Sequence, residues 1–159
     1  LTRVRNESNF SLGEILRVVL TENDVPLSSV RTAQALGLPE ALTREVTGIM
    51  VGVHSFDRNQ PFIILELSTY DRSFAALLSW ERTMGETLGG FFAPLGRRAD
   101  DAPRLAFIDT VIQNLDVREA QSDWPILYTF PEQRLVIITT NEFTLREIMT
   151  RLGATQRGL

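Results

Sequence analysis

The sequence predicts an α+β domain, a largely antiparallel sheet of about five to six strands with two main helices packed on one face. Three observations predict it. TGIMVGVHSF and PFIILELST are apolar runs of strand length on either side of Asp57-Arg58-Asn59-Gln60, and PILYTF and RLVIITT flank Pro131-Glu132-Gln133. Hairpins therefore outnumber strand–helix–strand crossovers, which favours antiparallel pairing. A long helical pattern from Ser68 to Phe92 and a shorter one at the C-terminus supply the covering layer. A chain of 159 residues, 43% hydrophobic and 23% charged, fits one domain over 1–159, with the polar, aperiodic residues 1–10 as a lead-in.

Along the chain, Leu12, Ile15, Leu16, Val19 and Leu20 have helical spacing, while the β-branched Ile15, Val18, Val19 and Thr21 favour extension. A strand over 14–22 is the adopted reading of that two-way pattern. Pro26-Leu-Ser-Ser opens a short helix through Val30, Ala33 and Leu36 that Gly37 stops in the left-handed conformation, and Pro39 starts another to about Val46. Phe74, Leu77, Leu78, Met84, Leu88 and Phe92 mark the long helix, which Pro94 ends. GRRADDAPR is a loop, FIDTVIQN a strand, and the last helix carries Leu145, Ile148, Met149 and Leu152 between a Thr144/Glu147 capping box and Gly153. Each half holds a hairpin followed by a helix, without matching residues.

Composition excludes several chemistries. All sixteen cations are arginine, which removes Schiff-base lysines and the P-loop lysine; the bias reads as codon usage rather than as a functional demand for guanidinium. There is no cysteine and one histidine, His54, so thiolate and multi-histidine metal sites are excluded. A net charge of −4 with scattered arginines gives no basic field, and no nucleic-acid partner is expected. No catalytic residue, cofactor or metal site is assigned, since none of the glycine-rich, zinc-protease or nucleophile-elbow motifs occurs.

One residue breaks the pattern. Glu81 falls between Leu77, Leu78, Met84 and Leu88 in the apolar stripe of the long helix, where an unpaired carboxylate would cost several kcal/mol. It therefore requires a partner. One reading makes Glu81, with Trp80 and His54, the wall of a pocket. The favoured one has Glu81 take hydrogen bonds from backbone amides or from an arginine such as Arg118, locking helix to sheet. His54, beside Asp57 at a strand end, reads as a turn residue, and Tyr70, Tyr128, Phe62 and Phe91 as core or rim aromatics.

The run IMVGVHSFDRNQPFIILELSTYDRSFAALLSWERTM, with FIDTVIQN, DVRE, ILYTF and LVIITTNEFTLREIMTRL, resembles a group of uncharacterised conserved proteins of candidate-phylum (Patescibacteria-type) bacteria. It covers roughly residues 25–152, and Gly52-Val-His54, Pro61-Phe62, Trp80-Glu81 and Val136-Ile-Ile-Thr-Thr are its most specific parts. Members look like larger, membrane-anchored proteins. The resemblance implies an excised extracytoplasmic domain, supports a strand at 14–22, and carries over no functional residue. A chain starting at Leu1 rather than Met fits a piece whose membrane segment lies outside it.

The expectation is a non-enzymatic extracytoplasmic interaction or assembly domain of a bacterial envelope protein, with a protein partner. Its alternatives are a small-molecule sensor or carrier with a pocket near Glu81, Trp80 and His54, then an acid-base enzyme using Glu81 with His54, and, for location, the cytoplasm.

Overall fold

Side-chain alternation along the central strands divides the molecule into a sheet with two apolar faces, and the α-helices pack against one or the other. The computed structural model describes residues 10–94 and 96–157; apart from Phe10, the expected lead-in lies outside them. The seven-stranded antiparallel sheet runs β1-β4-β5-β9-β8-β7-β6. It is built from β1 (Ile15–Val18), β4 (Val46–His54), β5 (Gln60–Leu67), β6 (Phe107–Ile112), β7 (Leu115–Ala120), β8 (Leu127–Glu132) and β9 (Leu135–Thr139). β2 (Thr21–Glu22) and β3 (Val25–Pro26) form a separate two-stranded ribbon. The α+β class and the antiparallel sheet are as expected, with one or two more strands.

The extra strand is β7. It pairs with β6 through a turn whose central residues, Gln113 and Asn114, both have positive φ, the geometry of a type I′ hairpin. Asn23 and Asp24 do the same between β2 and β3. The 14–22 segment is extended as expected but breaks after Val18. The β8–β9 hairpin turns after Glu132, later than expected, because a register shift between Thr129 and Glu132 takes Phe130 and Pro131 out of regular pairing, where a proline costs no ladder bond.

The helices depart from expectation in three places. Ser28 caps α1 (Ser29–Ala35) and Gly37 ends it with φ 79°; α2 (Glu40–Thr43) follows Pro39 and is shorter than expected. The single helix expected over Ser68–Phe92 is two, α3 (Tyr70–Trp80) and α4 (Met84–Phe92). Thr83 leaves helical geometry at φ −120°, ψ 2°, and its amide turns back to the Trp80 carbonyl. Thr83 and Gly85 are weak helix formers, and a Cβ on Gly85 would press on the Pro103 carbonyl at 3.2 Å. In α5 (Glu142–Arg157) the amide of Thr144 donates to the Asn141 side chain, so Asn141 is the cap and the expected Thr144/Glu147 box is not formed. Gly153 lies inside α5 instead of ending it.

Two cores result. Ile63 and Leu65 of β5 and Val136 and Ile138 of β9 face α3 and α4, together with Leu42 of α2 and Ala33 of α1. Phe62, Ile64 and Ile137, alternating with them, face Leu145 and Ile148 of α5. The two main helices therefore cover opposite faces rather than one, because α5 drops from the end of β9 through only Thr140 and Asn141. Fully burying each such aliphatic side chain contributes about 1.5–3 kcal/mol.

Gly52 shows how closely the strands pack on the α5 side. It pairs with Phe62, and an added Cβ would fall 2.2 Å from the Phe62 ring and 2.7 Å from the Leu16 carbonyl oxygen. Gly52→Ala is predicted to destabilise the fold by about 1–3 kcal/mol through overpacking, measured as a lower urea midpoint at unchanged m-value. A midpoint equal to that of the parent would show that β1 and β5 yield freely.

Candidate functional site

Three strands align polar residues on the face turned toward α3 and α4. Asp109 of β6 pairs with Arg118 of β7, and Arg118 with Tyr128 of β8. Glu81, the C-cap of α3 just before the α3–α4 break, meets the middle of that row. Arg118 donates from Nε to Glu81 Oε1 (2.8 Å) and from Nη2 to Oε2 (2.7 Å), and the Tyr128 hydroxyl donates to Oε1 (2.7 Å). The remaining Arg118 arm reaches Asp109 from Nη1 at 3.1 Å.

The Glu81 and Arg118 side chains are only 13% and 20% exposed, so the two-pronged geometry matters: it satisfies both charges where water reaches poorly. Hydrogen bonds to Glu81 hold the Arg118 guanidinium firmly protonated, and burial, then Glu81, pushes the Tyr128 hydroxyl far above its ordinary value. Neither exchanges a proton near neutral pH. This constellation ties a helix end to the sheet, the role favoured for Glu81 with Arg118 as its partner.

Trp80 and His54 do not join it. The Trp80 indole donates to Thr87 Oγ1 at 2.8 Å, pinning α3 to α4 across the break. His54 sits on the opposite face: its neighbour Val53 belongs to the core under α3 and α4, and alternation turns His54 to α5. There its Nδ1 shares a hydrogen bond with Thr144 Oγ1 (3.0 Å), and its ring stacks on Phe56, which stacks on Phe143. A pocket walled by Glu81, Trp80 and His54 together therefore does not form. Of the aromatics, Tyr128, Phe62 and Phe91 are core and Tyr70 is rim.

Two features escaped sequence reasoning. Glu45 is buried between α2 and α3, where Ser68 Oγ and Thr69 Oγ1 donate to its carboxylate and Arg72 lies 3.2 Å away. Those hydroxyl bonds, with Arg72, hold its carboxyl below the usual range despite burial. Its only sequence signal was position, between a short helix and a strand. The second is a half-open groove of about 760 Å³ beyond Arg118, with Tyr70, Phe74 and Phe130 on one side and Asp109, Asp116 and Glu132 about it. Among the described residues no three histidine or acidic side chains converge as metal ligands, and no helix is long and apolar enough to cross a membrane. Comparison with protein-family models, curated proteins and solved structures finds no match.

Glu81→Gln removes the charge that Arg118 and Tyr128 share, and is predicted to cost about 1.5–3 kcal/mol, the range for hydrogen bonds to charged groups. In a double-mutant cycle with Arg118→Met the two losses should be strongly non-additive; additive losses would show that the pair does not hold helix to sheet.

Burial pushes the His54 imidazole below its ordinary value; Glu147 pulls it up and Arg151 presses it down. A group whose folded-state pKa is depressed contributes stability that is complete above its unfolded value, about 6.5 for histidine, and is lost as pH falls toward the folded value. The thermal midpoint should therefore begin to drop below pH ~6.5, before the loss expected from Glu45 in the carboxylate range. His54→Gln should flatten the first part of that decline, and an unchanged slope in the variant would rule His54 out as its source.

Proposed function

We propose that this chain is a non-enzymatic partner-binding module that receives an extended segment of another protein along the outer edge of β6. One observation carries the reading. β6 ends the sheet, and among the described residues no strand pairs with its outer side. Its sequence, FIDTVI, is rich in β-branched residues, with Ile108 40% and Val111 66% exposed. Free edges are normally guarded by lysine, proline, bulges or shortness. β6 has no lysine or proline, and its one charge, Asp109, leans onto Arg118. The opposite edge, β1, is four residues long and carries an exposed arginine, Arg17.

Strand addition draws its affinity from main-chain hydrogen bonds, and alternate side chains select the partner. The non-enzymatic part of the reading is supported by the Glu81 constellation, whose polar groups bind one another, and by the separation of His54 from it. An extracytoplasmic setting in a bacterial envelope protein is the location we propose with it, supported by the resemblance of the sequence to anchored proteins.

The test is nuclear magnetic resonance titration with a blocked, uncharged peptide of alternating valine and threonine. Shifts should concentrate on residues 107–112, and Val111→Lys, which adds a guard charge to the edge, should weaken binding by roughly three- to tenfold. Shifts elsewhere, or none at millimolar peptide, would sink strand addition at β6. Concentration-dependent dimerisation without peptide binding would replace the partner by a second copy.

A further inference from the structure

The groove beside this edge has a chemistry of its own. Its floor is the face of β7 and β8 turned toward α3, and its wall is three rings in mutual contact. Tyr70 stacks on Phe74 (5.7 Å), and Phe130 meets both edge-on, at 5.0 Å from Tyr70 and 5.9 Å from Phe74. None is fully buried, and Tyr70 is 38% exposed. Such an aromatic cluster on a surface offers π faces to a visitor.

Carboxylates outnumber cations about the groove among the described residues. Among the described residues that line it, Asp109 and Asp116 are carboxylates and Arg118 is the one guanidinium. That guanidinium is already bound by Glu81 on two arms and by Asp109 on the third. It is thus matched by two carboxylates before any ligand arrives. An anion would meet net repulsion, and a cation would meet net attraction. The Asp109 side chain is 88% exposed and Asp116 is exposed, so both can turn toward an incoming charge. A bare metal ion is disfavoured because these carboxylates do not converge.

We propose that the groove receives a basic side chain, an arginine in preference to a lysine, presented by the protein partner, with its guanidinium over the Tyr70–Phe130 wall and paired with Asp116. A planar guanidinium stacks on an aromatic face and accepts a carboxylate at its edge, which a compact ammonium does less well. The half-open shape suits a side chain delivered on another chain; a free small ligand is ordinarily enclosed over most of its surface. This rests on the partner-binding reading of the molecule but not on strand pairing at β6, since the described lining of the groove shares only Asp109 with that strand.

The experiment is a magnetic resonance titration of the whole chain with the blocked tripeptide Gly-Arg-Gly, against Gly-norleucine-Gly and choline. The arginine peptide should shift Tyr70, Asp116 and Phe130, and bind more weakly as salt rises. Asp116→Asn and Tyr70→Ala, both surface changes whose folding circular dichroism checks, should each weaken it by roughly three- to tenfold. The norleucine peptide should bind less tightly than the arginine peptide by a similar factor. Equal binding of the norleucine peptide, shifts outside the groove, or no shift at millimolar arginine peptide would overturn the proposal. Choline binding in the groove without arginine-peptide binding would also overturn it, in favour of a small-molecule site. If the valine–threonine peptide shifts β6 while the arginine peptide leaves the groove untouched, only the groove assignment falls.

Discussion

The carboxylate of Glu81 accepts hydrogen bonds from Arg118 and Tyr128 on two neighbouring strands, and it reaches them from the place where the helical backbone is interrupted. Along one continuous helix from Ser68 to Phe92, Glu81 would have Met84 and Leu88 following it on the same apolar stripe. Glu81 keeps helical φ/ψ and its amide still donates to the Leu77 carbonyl, so it is the break after it, at Thr83, that redirects α4 and leaves Glu81 at a helix end facing β7. Trp80 then stabilises the interruption from the other side through Thr87. With α4 redirected, Gly85 comes close to the Pro103 carbonyl, on the connection that leads into β6. Position of the sheet's last hairpin thus depends on one ion pair at a helix break. Because the pair is partly buried, its net contribution is smaller than its geometry suggests; its stronger effect is to disfavour arrangements that would leave either charge alone.

Much of this was legible in the sequence, and the failures have physical causes. The β4–β5 and β8–β9 hairpins were visible because long β-branched runs met turn residues. Glu81 was visible as a carboxylate in an apolar stripe that required a partner, and Arg118 was named as one arginine that could supply it. β7 was invisible because Leu115–Ala120 carries Asp116, Arg118 and Glu119, residues that lower strand propensity when their partners cannot be seen. The Arg118 charge is acceptable in the strand because Glu81, at a helix end far away in sequence, pairs with it. His54 and Thr144 are 90 residues apart, and the hydrogen bond between them has no local signature. The side taken by α5 was hidden for a different reason. An amphipathic stripe shows that a helix has a buried face, but not which face of the sheet it covers.

That side also settles the question of an internal repeat. Each half of the chain runs hairpin then helix, and β5 and β9, which would correspond, are antiparallel neighbours. A twofold rotation that exchanges two antiparallel neighbours has its axis perpendicular to the sheet, so it returns every covering helix to its original face. α3 and α5 lie on opposite faces, so no such rotation relates the halves.

Without that symmetry, the two ends of the sheet are free to differ, and they do. One ends in a short strand with an arginine at its edge. The other ends in a six-residue strand with exposed Ile108 and Val111 beside an acidic, aromatic-walled groove. The chain's net charge of −4 is thus accompanied by carboxylates gathered around Arg118 in that groove. An acidic surface next to a free edge has a definite selective effect. It repels acidic segments before backbone pairing can begin and lets basic ones dwell long enough to form hydrogen bonds, so charge sets which strands arrive and the edge sets how they are held.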